Sequence, residues 1–205
     1  VTHDAPRLPE PPFATLLRAG LSPDGDRDLV RESLTSHDAL ERQLALRLAV
    51  AASLVAAEDF LSDPSALVRR EALRLIATGD VVSDLAWTLV AAALGASDPL
   101  EVEAACFYVG ESADERGRRE VSRVATSHDD LRCREAAVVA LAQLGGDDAR
   151  DIVIAALSDK PSVRRRAVVA LAAFEGPEVE AAVLRARDDL DWQTRSSAEL
   201  LLRED

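Results

Sequence analysis

A chain of 205 residues in which 48% are hydrophobic but only 3% aromatic has to build its core from Ala, Leu and Val. Such side chains suit closely spaced helices and exclude a fold organised around large rings. A formal net charge of −13 argues against a sequence-wide grip on a phosphate backbone.

Residues 1–12 (VTHDAPRLPEPP) carry four prolines and no hydrophobic period, which predicts a flexible tail ahead of one repeat domain over 13–205. Short helices are expected over 13–19 and 27–35, separated by Gly20 and the SPDGD turn. From Ser36 onward one phrase returns six times: an Asp or His, a few polar residues, then an apolar-Arg-x-x-Ala step that opens an Ala/Leu-rich run. Clear copies are DPSALVRREALRLIA, DDLRCREAAVVALAQLG and DKPSVRRRAVVALAAFEG. Alignment on Leu40, Val68, Val102, Cys133, Val163 and Thr194 gives spacings of 28, 34, 31, 30 and 31 residues. A period of that length holds two helices and marks a stacked solenoid.

First helices are expected to begin near 38, 64, 99, 130, 161 and 190, with Asp63, Asp98 and Asp159 at or beside the N-cap and a proline next to each start or one residue on. Second helices are expected over 53–61, 81–94, 112–125, 147–157 and 177–187. The result is an all-α, right-handed α-solenoid of about six helix pairs. Arg69, Arg134, Arg164 and Arg195 recur once per repeat near Asp63, Asp129 and Asp159, a spacing that predicts a structural ladder between neighbouring repeats. In the copies around Leu40 and Val102, Glu41 and Glu103 stand where the arginine is expected.

The phrase D-x-x-x-V-R-x-x-A-x-x-A-L resembles the short HEAT-like repeat also found in the phycobilin lyase family, over about residues 36–203. That resemblance implies a helical repeat fold, and its members mostly bind proteins.

Two surfaces stand out for a partner. Placed on a helical wheel, 81–94 sets Trp87 and Asp84 opposite its apolar side, and 112–125 turns out Arg116, Arg119 and Arg123. Between Arg74 and Arg116 there is no Lys or Arg but eight acids, among them Glu101, Glu103 and Glu111, with Tyr108 as a further aromatic anchor. An acidic region with aromatics suits a basic protein.

Catalytic and metal signatures are missing: no H-x-x-x-H, C-x-x-C, G-x-S-x-G or phosphate-loop pattern occurs. His37 and His128 fall just before first helices, where capping or turn roles are expected. Cys106 and Cys133 occupy repeat positions otherwise held by small apolar residues and read as buried, reduced thiols. With no long uncharged apolar run and no basic-then-apolar start, the chain reads as a cytoplasmic protein without a membrane span. The expectation is a non-catalytic, cofactor-free scaffold or adaptor for a protein partner. A narrower form of it is an inhibitor or immunity-type protein that masks a basic enzyme. HEAT-like enzymes such as alkylpurine DNA glycosylases or phycobilin lyases are the catalytic alternatives, and the mixed charge of the predicted groove speaks against DNA.

Overall fold

The computed structural model describes residues 12–21, 26–77 and 84–202. Among these, twelve α-helices and no strand are present, so the chain is all-α, as its repeat period predicts. It divides into two compact units, residues 1–75 and 76–205.

In the first unit, α1 (Pro12–Leu21) and α2 (Arg27–Ser33) pack on α3 (Ala39–Ala51), and α4 (Ala66–Ala77) follows. Helix α1 opens one residue earlier than expected, at the last residue assigned to the tail. The rest of that tail lies outside the described residues. Local chemistry sets the starts of α2 and α3. The Asp26 carboxylate accepts from the N–H groups of Asp28 and Leu29, and Asp38 accepts from Leu40 N–H.

The second helix expected over 53–61 is replaced by a single 3₁₀ turn, Ala57–Phe60. Ser53 takes a left-handed φ of 56°, while Leu54 N–H donates to Ala49 C=O and Ser53 N–H to Val50 C=O. This is a Schellman stop built without glycine. Because α3 runs to Ala51, few residues remain before Asp63 for a returning helix.

The second unit alternates first and second helices. First helices are α6 (Pro99–Glu111), α8 (Leu131–Leu144), α10 (Pro161–Ala170) and α12 (Trp192–Leu201). Second helices are α5 (Asp84–Ala93), α7 (Arg118–Ser127, entered through a 3₁₀ turn at Glu115–Gly117), α9 (Asp147–Ala155) and α11 (Pro177–Ala186). The first helices pack in series, α6 on α8, α8 on α10 and α10 on α12, and α7, α9 and α11 form a second layer. Asp98, Asp130 and Asp191 cap α6, α8 and α12, and Pro99, Pro161 and Pro177 sit in first turns, where a missing N–H costs nothing.

The core is made of small apolar side chains: Val102, Cys106, Val121, Ala137, Leu141, Val153, Val163 and Leu171 are all buried. Both thiols are free and buried. Burial pushes the Cys106 thiol far up and that of Cys133 to about 11, so both stay protonated.

Small residues let α6 approach α8 closely. A Cβ added at Gly110 would lie 3.0 Å from the Ala140 Cα, a backbone atom that cannot swing aside. Gly110→Val is therefore expected to lower stability by about 1–3 kcal/mol through overpacking. A urea titration checks this, and an unchanged midpoint would show that the two helices part freely.

Candidate protein-contact surface

The two second helices α5 and α7 are joined by one arginine. Asp84 opens α5, and Trp87 follows one turn later. From the 3₁₀ turn before α7, the Nη1 of Arg116 donates to Asp84 Oδ1 at 2.9 Å, and its guanidinium stands 5.0 Å from the Trp87 ring centroid. Nε and Nη2 of the same group grip Asp114 at 2.9 and 2.8 Å. Hydrogen bonds and charge from Asp114, then from Asp84, raise the Arg116 pKa, and Arg116 in turn holds the Asp114 carboxyl below its usual range. Trp87 is half-buried, and Arg116 stands over its ring instead of leaving it free-standing. Arg119 and Arg123 continue along α7 as exposed residues, and Arg123 also donates to Leu94 C=O at 3.3 Å. The structure thus brings Asp84, Trp87, Arg116, Arg119 and Arg123 together on the α5–α7 layer.

It does not bring in the residues expected from the acidic stretch. Glu101, Glu103, Tyr108 and Glu111 all belong to α6, a first helix. Tyr108, expected as a contact residue, has no exposed surface and is a core side chain. Glu101 and Glu103 are half-buried, and Glu111 is exposed and accepts from Gln143 Nε2. The acidity is also lower in space than along the chain. Asp84 and Asp114 are bound by Arg116, and Glu115 is bound by Arg118 at 2.6 and 2.7 Å. Counting along the sequence stops just short of the arginines that fold back to neutralise these acids. Asp80, another of the eight, lies outside the described residues.

Further along the second-helix layer, a shallow groove of 530 Å³ lies between α9 and α11. Asp151, Ile154, Pro177, Glu178, Ala181 and Arg185 line it. The charge of the layer changes from helix to helix: α7 shows Arg119 and Arg123, whereas α9 begins with Asp147, Asp148 and Asp151.

The recurring arginines have a different role. Arg134 Nε and Nη2 hold Asp159 at 2.7 and 2.8 Å, while its Nη1 donates to the carbonyls of His128 and Asp129. Arg164 repeats this with Asp189 at 2.8 and 2.7 Å and the Asp159 carbonyl. In the first unit Arg42 does the same with Asp63 at 3.0 and 2.9 Å and the carbonyls of Ser36 and His37. Arg69 and Arg195 make the carbonyl bonds, to Asp63 and Pro64 and to Asp189 and Leu190. Asp129, expected as an acidic rung, serves through its carbonyl.

Two rung residues, Arg42 and Asp189, escape the sequence alignment. Placing Leu40 on the apolar step puts Glu41 at the arginine position, whereas the rung falls one residue later. Glu41 instead accepts from Ser33 and Ser36. Hydrogen bonds from the arginines hold Asp159 and Asp189 below the usual carboxylate range. At Asp63, burial pushes up, and the bonds from Arg42 and Ser65 N–H outweigh it.

His128 Nδ1 accepts from Asp130 N–H at 3.1 Å, a turn-forming role. No group of His, Cys, Asp and Glu able to hold a metal ion occurs among the described residues, and none of their helices is long and apolar enough to cross a membrane.

Residues 125–203 match the family model for HEAT repeats. No curated protein matches the chain in sequence. Solved structures resemble it in fold. Escherichia coli YibA shares 15% identity at a TM-score of 0.62, with 97% of this chain and 76% of that chain covered. A designed armadillo repeat protein shares 15% at 0.56, covering 87% and 99%. An engineered protein shares 18% at 0.56, covering 87% and 96%. At such identities the likeness speaks for fold alone. The chain has the helical-repeat fold of HEAT and armadillo proteins, and residues 125–203 match the HEAT-repeat pattern.

Proposed function

We propose that this chain is a non-catalytic scaffold that docks a protein partner on its second-helix layer, with Trp87 and Arg116 as the anchor. The observation that carries this reading is the Asp84–Arg116–Asp114 cluster stacked on Trp87. Two carboxylates hold the guanidinium over the indole, so an aromatic and a cation stand ready on a layer otherwise rich in small residues. Such a pair loses little side-chain freedom on binding, and Trp and Arg are the residue types that dominate interface energetics. The alternation from the arginines of α7 to the carboxylates of α9 suits a partner of mixed charge. Its basic side chains would meet Asp151 and Glu178 in the α9–α11 groove. A wholly basic partner, as the acid-rich sequence suggests, suits the layer less well. Free, buried thiols fit a reducing, cytoplasmic setting.

The test is retention of a stoichiometric partner from the native lysate by the wild-type chain, with Trp87→Ala and Arg119→Glu/Arg123→Glu in parallel. The captured partner is expected to bind either variant at least roughly tenfold more weakly, a loss of about 1.4 kcal/mol. A partner held equally well by all three proteins would place the contact elsewhere and overturn the assignment.

A further inference from the structure

Arginines strap neighbouring second helices together at two joints but not at the third. Arg116, in the turn before α7, bonds Asp84 of α5 at 2.9 Å. Arg118 of α7 donates through Nη1 to Asp148 Oδ1 of α9 at 3.2 Å and to the Gly145 carbonyl at 2.8 Å. Glu178 holds in α11 the place that Asp148 holds in α9. Each stands just before the first of three buried residues at matching spacing, Ala149, Val153 and Ala156 in one repeat and Val179, Val183 and Ala186 in the next. Yet Glu178 is exposed and makes no hydrogen bond or ion pair among the described residues. No side-chain bond among them joins α9 to α11, and the groove opens at that joint.

The α9 wall of the groove adds further acid. Arg150 Nη1 donates to Asp147 at 2.8 Å, and its Nε and Nη2 share Asp151 Oδ1 at 3.1 and 2.9 Å, which leaves Asp151 Oδ2 without a donor. The same guanidinium feels Glu178 across the groove, after Asp151 and Asp147. One arginine thus serves three carboxylates. Two turns along α11 from Glu178, about 10.5 Å, Arg185 is exposed and has no partner among the described residues. Between these poles Ile154 and Ala181 give the groove an apolar middle. As equivalent helices of successive repeats, α9 and α11 run the same way, so the groove is negative toward their N-termini and positive at the last turn of α11.

We propose that this groove seats an amphipathic helix of the protein partner, lying antiparallel to its two walls. A Lys or Arg of that helix enters between Asp151 and Glu178, an aliphatic side chain covers Ile154 and Ala181, and an Asp or Glu meets Arg185. The seat rests on the proposed role of the second-helix layer as docking face, and the charges select its occupant. A furrow between two parallel helices accepts the ridge of a third. Glu178 and Arg185 lie seven residues apart, so a helix with an acid at i and a base at i+7 meets both poles with one face. The antiparallel direction puts that acid toward the partner helix's N-terminus and the base toward its C-terminus, where each also suits the helix dipole. The base brings to Glu178 the cation that Arg118 brings to Asp148.

Fluorescence anisotropy on the full chain tests this with two labelled, Ala-rich helical peptides. One carries Glu, Leu and Lys at i, i+4 and i+7, and the other has Glu and Lys exchanged. The first is expected to bind at least roughly tenfold more tightly than the second. Glu178→Lys/Arg185→Glu reverses the poles of the groove and should reverse that preference. Asp151→Lys alone should weaken the first peptide at least roughly tenfold. Trp87→Ala should leave both affinities unchanged, because the peptides carry nothing for the α5–α7 anchor. Binding of neither peptide, equal binding of both, loss of binding in Trp87→Ala, or a preference that survives the double charge exchange overturns the groove assignment. If the peptides fail while a captured partner still depends on Trp87, the docking face stands and its helical occupant falls. Far-UV circular dichroism on each variant separates lost binding from lost folding.

Discussion

Tyr108→Ala is expected to lower the unfolding free energy by about 3–5 kcal/mol, the range for truncating a large buried aromatic. Tyr108 is among the largest side chains of the molecule with no exposed surface, and it lies on α6, the helix that Gly110 draws close against α8. Removing the ring leaves a void that the surrounding core fills only in part, since helix pairs pinned on both sides collapse poorly. Trp87→Ala should cost much less, because that ring is half-buried and rests against the guanidinium of an exposed arginine. Denaturant titration of both variants, with binding to the captured partner as a second readout, separates the two roles. If Tyr108→Ala weakens binding while leaving stability intact, the side chain is a surface anchor and its place in the core is wrong.

That contrast shows what could be read from the residues alone. First helices were legible because their starts are written in chemistry: Asp98 and Pro99, or Asp159, Lys160 and Pro161, leave little choice of where a helix begins. Stops were less legible. Gly145 takes a positive φ at the end of α8, where glycine is the ordinary signal, but Ser53 and Ala113 adopt the same left-handed region without being glycine. The left-handed stop at Ser53 was therefore invisible, and with it the loss of a full second helix over 53–61. Tyr108 illustrates a different failure. Counted among the rare aromatics of an acid-rich stretch, it looked like an anchor. The uninterrupted run Ala104–Ala105–Cys106–Phe107–Tyr108–Val109–Gly110 has no polar face at all, and a helix apolar on every side is covered on every side. On the candidate surface, Asp84, Trp87, Arg119 and Arg123 could be placed by helical period. The bond from Arg116 back across 32 residues to Asp84 could not, because it depends on how adjacent second helices pack.

Arg134→Ala is the second large effect expected, at about 2–4 kcal/mol. The Arg134 and Asp159 side chains are only 14% and 22% exposed, so their bidentate pair is far drier than an ordinary surface ion pair. Truncation removes both bonds to Asp159, strips the carbonyls of His128 and Asp129 of their donor, and leaves a largely buried carboxylate without its counter-charge. Acid should remove part of the same stabilisation in the wild type. Bonds from Arg134 hold Asp159 below its ordinary value of 3.8, so the unfolded chain takes up this proton more readily than the folded one, and falling pH favours unfolding. The contribution is complete above that ordinary value and is lost as pH falls through the depressed folded one. Asp63 and Asp189, lowered in the same direction, add to the slope. Arg134→Ala should therefore be much less stable at neutral pH, yet lose less further stability on acidification than the wild type. Urea midpoints measured from neutral pH to below pH 3.8 read both effects. Parallel acid limbs for the two proteins would mean that Asp159 gains nothing from its arginine, and that the ladder holds the repeats in register through its carbonyl bonds alone.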